Sequence, residues 1–275
     1  MKYIFTLILL FAVTLNAEQG TIDTVYSFIP GSGSLKGSEP ENYPQNIFGP
    51  PSKNASLKVP ENNANEILSI GLGGEIIVGF KDKKLVDIPG ADFTIFENAF
   101  ETISGENIFA EPAEISVSDD GINFVAFTVD YETLENCAGK TPTLGTASPF
   151  DTENSGGDSF DISKLGFSYI THIKIKDISL AASELPKDNK YYNPKALITG
   201  FDLDAVVAMN LQPLPVSVND SEDTFEYDEI IVYDILGRKA GLFKDVSQLT
   251  DLLNGQYILL YISSNQIIKR EFYIR

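Results

Sequence analysis

The sequence predicts an all-β protein with a β-sandwich or jelly-roll body. Three observations carry that expectation. Short runs of β-forming residues recur along the chain, separated by turns rich in glycine and aspartate. Helical periodicity is weak throughout, and no strand-helix-strand alternation is present. The runs at residues 114–118 and 123–129 are joined by Asp119-Asp120-Gly121, whose Asp-Gly step supplies the positive φ that a tight hairpin needs.

In chain order, residues 1–17 read as a secretory signal peptide. Lys2 gives a positive start, the stretch from Ile4 to Leu15 is apolar apart from threonines, and Leu15-Asn16-Ala17 places small residues for cleavage. The apolar run falls short of the roughly 20 residues a spanning helix needs. No other segment is long and apolar enough to cross a bilayer, so no transmembrane segment is expected.

Residues 18–212 form the expected body. Its opening has no sustained period and is punctuated by Pro30-Gly31-Ser32-Gly33-Ser34, Pro40, Pro44, Pro50 and Pro51, which predicts a long N-terminal loop around the core. Residues 66–70 and 75–80 flank Gly71-Leu72-Gly73-Gly74 and read as a hairpin. Further strands are expected at 93–96, 169–176 and 201–208. Within 171–176, alternation sets His172, Lys174 and Lys176 on one face and Ile173 and Ile175 on the other.

Residues 213–275 form a linker and a second β-rich module. It reads Glu229-Ile230-Ile231-Val232-Tyr233-Asp234-Ile235-Leu236-Gly237-Arg238, then Leu252-Leu253-Asn254-Gly255-Gln256-Tyr257-Ile258-Leu259, then Lys269-Arg270-Glu271-Phe272-Tyr273-Ile274-Arg275. This tail resembles the type IX secretion C-terminal sorting domain family in all three places. The closing strand departs slightly, ending Phe-Tyr-Ile-Arg where lysine and valine are more usual. The resemblance implies a small immunoglobulin-like sandwich, read by the type IX secretion machinery at the outer membrane. It also implies a body that ends on the cell surface or outside the cell.

The body has its own resemblance. Gly90-Ala91-Asp92-Phe93-Thr94-Ile95-Phe96-Glu97-Asn98, Ala113 to Phe124, Ala138-Gly139-Lys140-Thr141, Gly156-Gly157-Asp158-Ser159-Phe160-Asp161 and Gly200-Phe201-Asp202-Leu203-Asp204-Ala205-Val206 occur in an order similar to a group of exported bacterial cell-surface proteins of no established activity. The 114–124 hairpin and the strand around His172 also look like parts of galactose-binding-like, discoidin-like sandwiches.

Composition limits the partners. A net charge of −19 argues against nucleic acid and anionic membrane, which repel a negative protein. Cys137 is the only cysteine, so no intrachain disulfide exists, and with His172 the only histidine no Cys/His zinc site can be assembled.

Acids at expected strand ends and loops are the candidate chemistry: Asp92, Glu97, Asp158, Asp161, Asp202 and Asp204, with Asp177 nearby in the pattern. Calcium takes six to eight oxygen ligands and suits such a set, as a structural ion. In a regular strand Asp202 and Asp204 point to one face and Leu203 to the other. Solvated surface acids are the plainer reading. Asp151-Thr152-Glu153-Asn154-Ser155-Gly156 begins like an EF-hand loop, but Ile162 stands where the bidentate glutamate belongs.

The residues point to a binding or structural display protein, with a glycan or a protein as ligand and calcium as support. Tyr131, Tyr191 and Tyr192 are available to stack on sugars. The alternative is a secreted hydrolase acting on glycans through paired carboxylates, which stand about 5 to 10 Å apart in such enzymes. Nothing singles out a pair, the chain has no tryptophan, and no Gly-x-Ser-x-Gly elbow is present to serve His172. Cys137 reads as an inert small residue, and no catalytic residue is assigned.

Overall fold

The computed structural model describes residues 18–195, 200–214, 227–234, 237–253, 256–264 and 266–274. The expected signal peptide, residues 1–17, lies outside them. The chain divides into two compact units, residues 1–216 and 217–275. No helix among the described residues is long and apolar enough to cross a membrane.

The first unit is an all-β sandwich of two antiparallel sheets. One runs in the order Asp158–Phe160, Phe93–Glu97, Asp202–Pro213, Lys83–Val86, Tyr169–Ile170, and Glu18–Thr21 and Leu68–Ser69 also pair with its long strand Asp202–Pro213. The other runs Val125–Ala126, Ala113–Ser118, His172–Asp177, Glu75–Gly79, Thr24–Ile29, with Cys137–Ala138 beside Ala113–Ser118. Side chains alternate across each strand, so every second residue faces the opposing sheet. Ile76, Val78, Ile115, Val117, Ile173 and Ile175 from one sheet meet Phe93, Ile95, Leu203, Val206 and Ala208 from the other. Each of these side chains except that of Ala208 contributes about 1.5–3 kcal/mol when removed from water. Phe160 stacks on Phe93 at 5.1 Å, and Phe127 closes on Phe160 at 5.0 Å.

The hairpin after Ala113–Ser118 forms, but its second strand is Val125–Ala126 instead of 123–129, and residues 119–124 make a longer connection than a tight turn. Val125 pairs with Val117 and Ala126 with Ser116. Gly121 has φ 72°, and the Asp120 carboxylate accepts from the amides of Ile122 and Asn123. His172 and Lys174 are half-buried and Lys176 is exposed on the outer face, opposite buried Ile173 and Ile175.

Two local expectations are corrected. Residues 66–70 and 75–80 do not pair with each other: Leu68–Ser69 pairs with the strand starting at Asp202, and Glu75–Gly79 pairs with Thr24–Ile29 and His172–Asp177. The glycine turn is a corner between the two sheets, because Gly71, Gly31 and Gly200 come so close that a Cβ would meet neighbouring backbone within 3.0 Å. The N-terminal segment is also not all loop. Glu18–Thr21 and Thr24–Ile29 each complete a sheet before the irregular stretch begins.

The second unit is a four-stranded antiparallel sheet in the order Lys239–Phe243, Glu229–Asp234, Gln256–Ser263, Gln266–Ile274. Alternation buries Ile230 and Val232 against Leu249, Leu252, Tyr257, Leu259 and Tyr261. A 3-10 turn, Val246–Asp251, starts on a capping box in which Asp245 and Gln248 satisfy each other's free amides.

Candidate functional site

The six acids singled out in the sequence separate into groups with different local work. Asp158 is 4 % exposed and fully engaged: it accepts from Lys140 Nζ at 2.7 Å, from Thr141 Oγ1 at 2.7 Å and from the Lys140 amide. Asp204 is buried, and both of its oxygens accept from the Ser52 amide at 3.0 and 3.1 Å. Burial pushes its carboxyl up to about 7. A β-bulge between Leu203 and Ala205 breaks the alternation expected for this strand. Asp202 therefore reaches the Ser69 hydroxyl while Asp204 turns to Ser52.

Asp92 and Asp161 come together with Asp87, the one set of three such groups among the described residues whose ligand atoms all lie within 4.8 Å of one another. Their oxygens are largely committed. Asp92 accepts from the amides of Ile88 and Ile162, both at 2.8 Å, and Asp161 caps the 3-10 turn Ile162–Leu165 through Ser163. Burial raises the Asp92 carboxyl above its usual range despite those two amides, and Asp87 and Asp161 add to the rise.

Glu97 and Asp202 come together with Glu111, an acid the sequence reading passed over. Glu97 is 2 % exposed; its Oε1 receives the Asp202 amide at 3.4 Å and its Oε2 has no hydrogen-bond partner. Burial holds its carboxyl well above the usual range, and the charges of Glu111 and Asp202 push the same way. Glu111 is buried and accepts from the Gly200 amide at 3.1 Å. Asp177 is buried as well, taking the amides of Gly73 and Phe201 and the Ser179 hydroxyl. Glu61, also unread in the sequence, accepts from the Ser52 hydroxyl and the amides of Asn62 and Asn63. Burial raises its carboxyl, but these bonds outweigh burial and hold it below the usual range.

Open clefts lie elsewhere, around the three tyrosines singled out in the sequence. One, of about 660 Å³, is framed by the hairpin Phe100–Glu101 and Ile108–Phe109 and by Tyr192, Asn193 and Lys195. A second, of about 640 Å³, holds Tyr131, Glu132, Glu184 and Asn189, and a third holds Glu132, Asn189 and Tyr191. Pockets that hold small ligands measure about 300–1,000 Å³, so the first two have room for sugar rings. Segment 186–195 contributes lining residues to all three and is pinned on both sides. Lys190 O receives the Ile108 amide at 2.8 Å, Asn189 Nδ2 donates to Glu132 O at 2.8 Å, and Asn193 Nδ2 donates to Ala110 O at 3.1 Å. Tyr131 is 55 % exposed, whereas Tyr191 and Tyr192 rest partly on Ala110, Leu134, Cys137 and Leu185. Lys190 Nζ sits 4.6 Å over the Tyr191 ring. Phe100 stacks on Phe109 at 4.9 Å and fixes the hairpin wall.

The remaining candidates are structural in setting. His172 packs on Tyr26 at 4.0 Å and shares a 2.7 Å hydrogen bond with Thr171. Cys137 is fully buried, and burial pushes its thiol up to about 12. Asp151 accepts from the amides of Glu153 and Asn154, an ordinary polar turn. No family model and no curated protein matches the chain.

Proposed function

We propose that this chain is an exported surface protein whose body, residues 18–212, binds a neutral glycan in the clefts around Tyr131, Tyr191 and Tyr192. Export rests on the signal-peptide pattern of residues 1–17 and on the tail, residues 213–275, as cargo of the type IX secretion machinery. The observation that carries the binding reading is that all three tyrosines line clefts to which one pinned segment, 186–195, contributes. Aromatic faces stack on the apolar faces of sugar rings, and side chains such as Asn107, Asn189 and Lys195 supply hydrogen bonds to hydroxyls.

Calorimetric titration of the full chain with short neutral oligosaccharides of glucose, mannose or galactose tests this reading. Saturable binding is expected, weakened on the order of tenfold by Tyr131→Ala, since an aromatic contact is worth about 0.5–1.5 kcal/mol. Absence of binding to the whole set, or binding indifferent to Tyr131 and Tyr192, would count against it.

One observation favours hydrolysis as a second reading: Glu132 and Glu184 line the same cleft as Tyr131. Release of reducing ends during the titration, abolished by Glu184→Gln, would support that reading over simple binding.

A further inference from the structure

The acids at the junction of Phe93–Glu97 with Asp202–Pro213 pose a physical problem that the clefts do not. Glu97 is 98 % buried, its Oε2 has no partner, and the charges acting on it are those of Glu111 and Asp202. Asn98, the next residue, donates its amide to Glu61 O and to the Asp202 carboxylate, leaving its own buried Oδ1 without a partner. Two acceptor oxygens thus stand buried without donors, beside two further carboxylates. An unpaired buried polar group costs about 1–3 kcal/mol, and more when charged. A cation within reach of both oxygens serves them together and offsets the neighbouring carboxylates as well.

We propose that Glu97, Asn98, Glu111 and Asp202 bind a calcium ion inside the body. Every donor is oxygen, which excludes the softer metals that favour nitrogen and sulfur. Three carboxylates and an amide oxygen in a buried, irregular setting suit calcium, with its flexible shell of six to eight ligands. Magnesium demands near-ideal octahedral geometry and keeps several waters. Lys36 is the base that acts on Asp202, and it also bonds to Asn62. The Asp87, Asp92 and Asp161 group is the weaker candidate despite its closer spacing, because backbone amides already occupy both oxygens of Asp92.

The site also has a structural consequence. Glu111 follows Ala110, whose carbonyl holds Asn193 at the cleft wall, and it holds the Gly200 amide itself. An ion on Glu111 braces the segment that frames the 660 Å³ cleft.

The test is calorimetric titration of chelator-treated full chain with calcium chloride, paired with thermal melts in calcium and in chelator; it uses no glycan and reads independently of the cleft. One calcium per chain is expected, with a melt raised by several degrees. Glu97→Gln and Asp202→Asn should each weaken binding on the order of 100-fold, while Asp92→Asn leaves it unchanged. In chelator, Glu97→Gln should melt no lower than wild type, because burial already favours the neutral carboxyl there and glutamine is its neutral isostere. If it does not fold, Asp202→Asn still gives the ligand reading. No heat and no melt shift overturns the proposal, as does binding that survives Glu97→Gln and Asp202→Asn or is lost in Asp92→Asn.

Discussion

Lys140 Nζ lies 2.7 Å from Asp158 Oδ1, with the lysine side chain 20 % exposed and the aspartate 4 %. The contact joins the Cys137–Ala138 region to the edge strand Asp158–Phe160 and is reinforced by the Thr141 hydroxyl. Removing one partner of a buried pair strands the other, so Asp158→Ala should destabilise the body by about 3 kcal/mol in urea unfolding. Arg238 and Asp234 make a contact of the same 2.7 Å length, but the arginine is 74 % exposed, so Arg238→Ala should cost less than about 1 kcal/mol. Equal costs would show that burial does not set the strength of these pairs.

His172 gives a pH dependence of known sign. Burial against Tyr26 and the strand lowers its folded pKa, and the Asp120 charge only partly offsets this. The unfolded chain therefore takes up the proton first, near the ordinary value of about 6.5. Stability should fall as pH drops through that value toward the folded pKa and then level off. The difference in melting temperature between wild type and His172→Gln should change between pH 7 and pH 5. A constant difference across that range contradicts the assignment.

Cys137 should be silent in the folded protein. Its thiol is fully buried and raised to about 12, so thiolate is scarce at neutral pH. Labelling by a disulfide reagent at pH 8 should wait for denaturant and then reach one thiol per chain. Rapid labelling of the native protein would refute this.

The export reading predicts a clean truncation phenotype. A chain ending at residue 212, expressed in a host with type IX machinery, should remain inside the outer membrane, while the full chain reaches the surface and becomes accessible to added protease. Surface exposure of the truncated chain would remove the tail from the account.

How much of this was legible in the sequence depended on range. The hairpin at residues 114–129 was readable because its determinants, alternation and Asp120-Gly121, are local. The strand with His172 was readable for the same reason. The corner at Gly71 was not, because it depends on Gly31 and Gly200 packing against it from distant parts of the chain. Asp202 and Asp204 were expected to share a face, but the bulge at Leu203/Ala205 is set by pairing with Phe93–Glu97 rather than by the strand itself. Glu111 went unread because Ala110-Glu111-Pro112 has no period, and its partners Glu97 and Gly200 are brought to it only by the fold. The tyrosines were recognisable by type, while their grouping depends on the pinned segment 186–195.

Hydrogen–deuterium exchange of the full chain, with and without a mixture of the neutral oligosaccharides, tests the central claim most directly. Protection confined to residues 100–109, 131–133 and 189–195 is the predicted result, because these walls hold the three tyrosines and frame the clefts. Protection on other surfaces of the body, or no change anywhere, would contradict a glycan-binding role for this face.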